Sequence, residues 1–547
     1  MKISRHIILA FIAAFICLGF SAKALEIFIG PSAQRTLQQK LLTAQQSISK
    51  LYVDSVDGNK LVEDAIRGML KELDPHSLYS TPEETRALNE PLQGNFSGIG
   101  ISFNITTDTL YVIQTISGGP SEKVGILPGD RIIAVNDTTI AGVKMTNADI
   151  QKRLRGPKGT DVDVTVLRNA AISPDTINFT ITRADIPINS IDAAYMVDAS
   201  TGYIRLNKFA ADTSNEFVNA VKDLKKQGMK QLILDLTDNG GGYLNAAVEI
   251  LGEMLPPDRL AVYTEGLHSP RYDAKTSPKG KTPLLGDDKI VVMVNQYSAS
   301  ASEITSGALQ DHDRALIVGR RTFGKGLVQR PIPLPDGSMI RLTMAHYYTP
   351  AGRDIQKHYD KGDDESYRRD IENRYNNGEL MHADSIHLAD STVYRTLRLN
   401  RPVYGGGGIM PDRFVPLDTT EYTKYYRNVM AKGIFNKYVI SYVDENRARL
   451  KKLYKTDDDF VDHFEVSDEM LGALRRKAEK ENVDFNEEEY QRSLPLIKVA
   501  LKSLIGRDLY DQATYFKVFN THSPIFNEAY RLINSQDYTT LLPLKKK

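Results

Sequence analysis

Residues 290–309 read Ile-Val-Val-Met-Val-Asn-Gln-Tyr-Ser-Ala-Ser-Ala-Ser-Glu-Ile-Thr-Ser-Gly-Ala-Leu. Ile290 to Val294 is an unbroken apolar run and reads as a strand. A turn of small residues follows, and a helical stretch begins near Ser302 and reaches Leu309. The same texture recurs on either side. Tyr203 to Leu206, Gln231 to Leu236 and Ala315 to Val318 read as further apolar strands. Helical stretches at Ser214 to Lys226 and Leu244 to Leu255 lie between them. Strands alternating with helices in this way predict an α/β core that starts near Ala194.

Three segments of this core carry chemistry. The first is the turn Asn295 to Glu303. Its small side chains expose a hydroxyl, and the helix that follows offers free N–H groups and partial positive charge to a developing oxyanion. The same cluster also suits close packing at a helix start. The second is Thr322-Phe-Gly-Lys-Gly-Leu-Val-Gln329, where Lys325 sits between two glycines. The full G-x-x-x-x-G-K-[ST] phosphate loop is missing, and a solvated loop lysine is the plain alternative. The third is Asp235-Leu-Thr-Asp-Asn-Gly-Gly-Gly242, whose glycines let backbone N–H groups approach a ligand. An ordinary strand-to-helix turn would also suit it.

Taken together, these residues resemble the C-terminal processing protease family, the S41 serine peptidases, of the PDZ-containing periplasmic tail-specific type. The matching stretches are Ser-Ala-Ser-Ala-Ser-Glu at 298–303, Ala-Leu-Gln-Asp at 308–311 and the Thr322 to Gln329 segment. Further matches are Leu73-Asp-Pro-His-Ser77, Gly98-Ile-Gly-Ile101, Leu127-Pro-Gly-Asp-Arg131, Tyr348-Thr-Pro-Ala-Gly-Arg353 and Gly408-Ile-Met-Pro-Asp412. The resemblance spans roughly residues 35–416. It implies a protease core of crotonase-like type, with Ser300 as nucleophile, Lys325 as general base and Gln329 orienting the lysine. The oxyanion hole it implies consists of the Ala301 N–H with one from Gly241 or Gly242. The family usually has arginine where this chain has Thr237, so the bracing of that turn differs. The chemistry is coherent: a free lysine has a pKa of about 10.4, burial lowers it, and a neutral amine can take and return the serine proton. No cofactor and no metal are required. His312, His346 and His358 are present, but the serine–lysine reading leaves no histidine to assign.

Between Phe96 and Arg183 the texture is of short β-type runs punctuated by glycine. Gly98-Ile99-Gly100-Ile101 resembles the carboxylate-binding loop of PDZ domains, in which a peptide C-terminus adds as a strand. A β-rich spacer that only controls access is the alternative. Ahead of this block, leucines from Leu37 to Leu51 and from Leu61 to Leu70 recur at helical spacing. Thr81-Pro-Glu-Glu84 reads as a helix cap and first turn. Ser47-Ile-Ser-Lys50 matches the S-x-x-K motif by chance, with no companion motif.

The expected organisation is multi-domain α+β. A signal peptide occupies 1–24, a helical region 31–93, a PDZ domain 94–184 and the protease core 194–416, and a helical extension 417–547 closes the chain. The core carries a polar, charged insertion at about 357–403 that reads as a surface segment. Gly405 to Gly408 reads as a hinge or a close backbone approach. In the extension, Leu496, Ile497, Ala500, Leu501 and Leu504 form one apolar face.

The bulk numbers agree with this plan. The chain has 547 residues, 41% hydrophobic and 25% charged, enough for about three or four ordinary globular domains. Lys+Arg and Asp+Glu are both 69, so no basic excess points to nucleic acid. Lys2, Arg5 and His6, the apolar run Ile7 to Phe20 and Ser21-Ala-Lys-Ala24 read as a secretory leader. The single cysteine, Cys17, lies within it. The expected location is therefore periplasmic or secreted, without stable membrane insertion. The expected partners are proteins or peptides with accessible C-termini, and a homo-oligomer or an adaptor protein is a further class. Two rival functions are an inactive PDZ adaptor on a dead protease core and a serine–lysine hydrolase for non-peptide substrates.

Overall fold

The structure, a computed structural model, describes residues 31–543 apart from 107, 117, 169–174, 279, 281 and 389–391. The leader expected over 1–24 lies outside the described residues. Two units meet at Leu73/Asp74. The first holds α1 (Pro31–Leu51) and α2 (Gly58–Lys71). Asp57 caps α2, its carboxylate accepting from the N–H groups of Asn59 and Lys60. The periodic residues Leu37, Leu41, Leu42 and Leu51 are exposed.

The second unit begins with a departure from the sequence reading. Helix was expected through residue 93, but Leu78–Ser80 forms β1, paired antiparallel with Met339–Arg341. Helix α3 (Pro82–Gln93) follows behind a Thr81–Glu84 capping box. Next come β2 (Asn95–Gly98), β3 (Ile101–Thr106), β4 (Thr109–Thr115), α4 (Pro120–Val124), β5 (Arg131–Val135) and β6 (Thr138–Thr139). Then come α5 (Asn147–Leu154), β7 (Asp161–Arg168), β8 (Asp175–Thr182) and β9 (Ala184–Pro187). The sheet runs β3-β4-β5-β7-β8, with β6 on β5, and β2 pairs with β9. Strand β3 is thus an edge. Its core holds Ile99, Val112, Ile132, Ile150 and Val164, so α5 and the sheet share one apolar interior.

The α/β core has β10 (Ile191–Met196), β11 (Thr201–Leu206), α6 (Thr213–Lys226), β12 (Gln231–Asp235) and α7 (Leu244–Leu251). It continues with β13 (Leu260–Gly266), β14 (Ser269–Lys275), β15 (Lys289–Val294), α8 (Ala301–Asp311) and β16 (Leu316–Gly319). The main sheet runs β10-β11-β12-β15-β16 and ends on β21 (Arg413–Phe414). All of its pairings except β10–β11 are parallel. Strand β12 is buried along its whole length, and β15 along all of it but Lys289, which is why both read as unbroken apolar runs. A second, antiparallel sheet joins β13 and β14 to β17 (Leu327–Pro333), β18 (Met339–Tyr348) and β1.

The 357–403 segment holds α9 (Asp364–Arg368), α10 (Asp370–Asn376) and a hairpin of β19 (Val393–Arg395) with β20 (Pro402–Tyr404). Much of its charge is turned inward rather than to solvent. Arg321 and Glu379 form a buried pair at 2.7 Å. Arg374 donates to the carbonyls of Thr322 and Phe323. The glycine run makes a close backbone approach: a Cβ on Gly408, at φ +96°, would lie 2.7 Å from the Thr322 carbonyl oxygen.

Helices α11 (Lys424–Ala431), α12 (Ile434–Leu453), α13 (Asp457–His463), α14 (Asp468–Lys480) and α15 (Glu487–Leu509) build a separate apolar core. Leu496, Ile497 and Leu501 lie inside it. Helices α16 (Gln512–Asn520), α17 (Pro524–Asn534) and α18 (Gln536–Leu541) return to cover the outer face of the main sheet. Among the described residues no helix is long and apolar enough to cross a membrane.

Candidate active site

Strand β15 delivers the chain into the turn Asn295–Ala299, and α8 begins at Ala301. Between them Ser300 holds φ +56° and ψ −112°, a conformation that L-residues adopt at a cost. Hydrogen bonds lace this turn to the glycine turn beside it. Asn295 Nδ2 donates to Asp238 Oδ1 at 2.8 Å, and Ser298 Oγ to the Leu236 carbonyl at 2.7 Å. Ser302 Oγ donates to the Asn239 carbonyl at 2.9 Å. Gly241, at φ +99°, lies against the serine: a Cβ there would be 2.8 Å from Ser300 Cβ and 2.9 Å from the Ala301 nitrogen. Only glycine fits. The Gly241 N–H donates to Asn239 Oδ1.

The fully buried Glu303 ties the serine to the lysine loop. Its Oε2 accepts from the backbone N–H groups of Ser300 (2.8 Å) and Lys325 (2.9 Å). Its Oε1 accepts from Gly324 N–H (2.7 Å) and Thr322 Oγ1 (2.6 Å). Burial pushes this carboxyl above the ordinary glutamate value against the pull of those four donors. The sequence reading quoted Glu303 within a motif and gave it no role. Its partners in the lysine loop lie 19 to 22 residues along the chain, beyond the reach of local patterns.

The half-buried Lys325 ammonium is pushed down by burial first and by the Arg341 guanidinium second, with Glu303 and Asp74 opposing. Among the described residues it makes no ion pair, and no hydrogen bond joins its Nζ to Ser300 Oγ. Gln329 Nε2 donates to the Leu327 carbonyl (2.9 Å) and weakly to Thr343 Oγ1 (3.4 Å), not to Lys325. Thr343 in turn donates to Asp74 Oδ1, which also accepts from the N–H groups of His76 and Ser77. Asp74 to Ser77 therefore stand beside the lysine. His76 Nε2 lies 2.8 Å from Tyr367 Oη, and burial, with help from Lys325, pushes its imidazole down to about 4. A second amine, Lys357, is pushed down to about 8 by burial against the pull of Asp370. It sits 4.1 and 3.9 Å from the rings of Phe323 and Tyr367.

Tyr347 is a further neighbour that the sequence reading passed over. Burial pushes its phenol up to about 12, and the Ser300 side chain beside it works against that rise. His312, His346 and His358 are engaged elsewhere: His312 with the Leu260 carbonyl, His346 with Asp354 and His358 with Asp360.

At Thr237 the turn is held by an arginine from elsewhere in the chain. Arg205, from the adjacent strand β11, donates to Asp235 Oδ2 and to Thr237 Oγ1, both at 2.7 Å. Other quoted motifs act as framework. Asp311 pairs with Arg353 at full burial, and Asp412 accepts from the Ile317 N–H. In the β-rich block, Asp130 pairs with Arg168 at 2.7 Å. Gly100, at φ +75°, lies in the Gly98–Ile101 loop, where the Ile99 carbonyl accepts from Ser121 N–H and Oγ.

Comparison with known proteins converges on the same regions. Residues 200–365 match peptidase family S41 and residues 97–181 match the PDZ domain. Residues 29–85 match the N-terminal domain of the activating protease CtpB, and 425–511 match a family of unknown function. A carboxy-terminal-processing protease of Bartonella bacilliformis is 38% identical over 313 residues, covering 56% of this chain and 69% of that protein. The carboxy-terminal processing protease CtpB of Bacillus subtilis is 33% identical over 323 residues, covering 58% of this chain and 65%, just under two thirds, of its own. A solved photosystem II D1 C-terminal processing protease is 32% identical, at a TM-score of 0.33 over 58% of this chain and 90% of that one.

Proposed function

The chain belongs to the carboxy-terminal processing proteases of peptidase family S41, and we propose that it cleaves secreted or periplasmic proteins near their C-termini through a Ser300–Lys325 pair. The observation that carries this reading is the Glu303 carboxylate, which grips the backbone of both residues at once. In the proposed reaction Lys325 Nζ, as the neutral amine, removes the Ser300 proton while Oγ attacks the scissile carbonyl carbon. The Ala301 N–H at the start of α8 and the Gly242 N–H receive the oxyanion; Gly241 is needed for its shape, since its own N–H is taken by Asn239. Collapse breaks the C–N bond, the lysine returns its proton to the leaving amine, and an acyl-enzyme forms. Water then attacks with Lys325 again as base, releasing the acid. Lysine has four rotatable side-chain bonds, and apo contacts of this kind often tighten only on substrate; Gln329 then orients the amine from β17.

The PDZ domain is the proposed grip on the substrate tail. Strand β3 is a sheet edge that begins in the Gly98–Ile101 loop, so a peptide can add as a strand and leave its carboxylate to the loop N–H groups. The test is cleavage of an unstructured protein with an apolar C-terminus by the mature chain, Ser300→Ala and Lys325→Ala. Loss in both variants, with the fold intact by circular dichroism, supports the pair. Equal cleavage by all three sinks it, and no cleavage by the parent favours the adaptor reading.

A further inference from the structure

The parallel strands β11, β12, β15 and β16 end at a partly open cavity of about 610 Å³, closed on its other side by α15, α16 and α17. The crevice outside the carboxyl ends of parallel strands is where α/β sheets bind ligands, and the volume is that of a small-molecule site. One wall group is out of balance. Arg320 is 7% exposed, lines the cavity, and makes no ion pair among the described residues. Its Nε donates to Gln296 Oε1 at 2.9 Å and its Nη1 reaches the Val415 carbonyl at 3.4 Å. Its Nη2 has no partner among the described residues. The other two guanidiniums of the lining are paired: Arg205 with Asp235 (2.7 Å) and Arg507 with Asp508 (2.8 Å). The free edge of the guanidinium thus faces the cavity, its charge answered only at a distance by Asp238, and it is placed to take an anion.

The walls define which anion. Asp238 and Asp418 line the same space, beside Asp235 and Glu421, which already have Arg205 and His522 as partners, so a doubly charged group is repelled and a single charge on Arg320 is favoured. Around it stand the rings of Tyr297, Tyr422, Tyr515 and Phe519 and the side chain of Leu417, which suit an apolar or aromatic body. We propose that this cavity binds the α-carboxylate and last side chain of a peptide, with the carboxylate forked on Arg320. It is a second carboxylate site, separate from the PDZ loop. Its walls include Asn295 and Tyr297, which lead into Ser300, and Thr237 and Asp238, which lead into Gly241–Gly242. Because Asn295 and Asp238 exchange two hydrogen bonds, at 2.8 and 3.1 Å, an occupant touches both turns of the catalytic centre.

The test exploits the absence of tryptophan from the chain. Tyr422→Trp in the full-length Ser300→Ala protein puts a single indole in the cavity wall, blind to the PDZ domain. The protein is titrated with N-acetyl-Ala-Ala-Phe as free acid and as C-terminal amide. The acid is expected to change the emission saturably, and the amide to bind about tenfold or more weakly, the scale of a charge-assisted fork. Adding Arg320→Gln should weaken the acid by a similar factor. Where that variant does not fold, Arg320→Lys keeps the charge and loses the fork, and is read the same way: weaker binding supports the site and unchanged binding overturns it. Equal affinity for acid and amide overturns it. So does a silent indole while the acid still raises the melting temperature, since that places the ligand on the PDZ domain alone.

Discussion

Replacing Glu303 should separate the shape of this centre from its charge. Glu303→Ala removes the acceptor of three buried backbone N–H groups, those of Ser300, Gly324 and Lys325, and of the Thr322 hydroxyl. A buried donor left unsatisfied costs about 1–3 kcal/mol, so the three N–H groups together cost about 3–9 kcal/mol. A domain has only about 5–15 kcal/mol in hand. Glu303→Gln is much milder, because the amide fits with its nitrogen at the Oε1 position. That nitrogen can donate to Thr322 Oγ1 and conflicts only with the Gly324 N–H, while the amide oxygen keeps both Ser300 and Lys325. One orphan donor costs about 1–3 kcal/mol. Urea unfolding and kcat on an unstructured substrate should therefore give a graded pair. The glutamine variant should unfold at somewhat lower urea and keep kcat within about tenfold, since a positioned site loses about 10²-fold only when displaced by about 1 Å. The alanine variant, if it folds, should lose at least that much. A glutamine variant as damaged as the alanine one would refute the clamp and mean that the negative charge itself is required.

Other expectations follow from the same geometry. Burial and Arg341 push Lys325 down, and the base works neutral, so kcat/KM should rise with pH and level off below the range of a free lysine; Arg341→Gln removes a depressing charge and should move that limb to higher pH, and a move to lower pH contradicts the assignment. Gly241→Ala puts a Cβ 2.8 Å from Ser300 Cβ and should cut kcat by about 10²-fold or more, measured beside an unfolding curve to separate activity from stability. Arg205→Met leaves the buried Asp235 without its counter-ion, held only by Tyr203 Oη and the Thr237 N–H, and should cost about 3 kcal/mol by urea unfolding, the low end for a broken buried pair; adding Thr237→Arg should restore part of it, and no restoration would show that Arg205 does not stand in for that arginine. Asp444→Ala breaks the 3.0 Å pair that joins Arg131 of the PDZ sheet to α12; proteolytic nicking of the PDZ block should quicken, while urea stability of the core falls by no more than about 1 kcal/mol, as for a partly exposed pair.

What the sequence disclosed depended on how each strand is covered. Strands β12 and β15 carry apolar residues on both faces, so their runs were legible without a partner. Strand β14, Ser-Pro-Arg-Tyr-Asp-Ala-Lys, is exposed at most positions and carries no such signal, and β1 is three residues long within a helical context. The second sheet was therefore invisible until its members were paired. Ser300 and Lys325 were legible as words of a motif, but the contacts that fix them were not. Thr343 meets Asp74 across 269 residues, and Tyr347 reaches Ser300 from the far end of β18. The 357–403 segment misled for a different reason. Clustered charge usually marks a solvated face, yet Arg321 and Arg374 both lie against Glu379 inside the protein, and composition does not distinguish the two arrangements.

The acids beside Lys325 bear directly on how a lysine can serve as a base. A lysine beside a free carboxylate stays protonated and useless for the purpose. The two acids that act on Lys325 are already committed, Glu303 to backbone N–H groups and Asp74 to Ser77 and Thr343. His76, pushed down to about 4, is neutral through the working range and adds no charge of either sign. Arg341 remains as a cation acting on the amine. Lys325 is thus left desolvated and without an ion-pair partner among the described residues, the condition that pushes an amine down from its ordinary range.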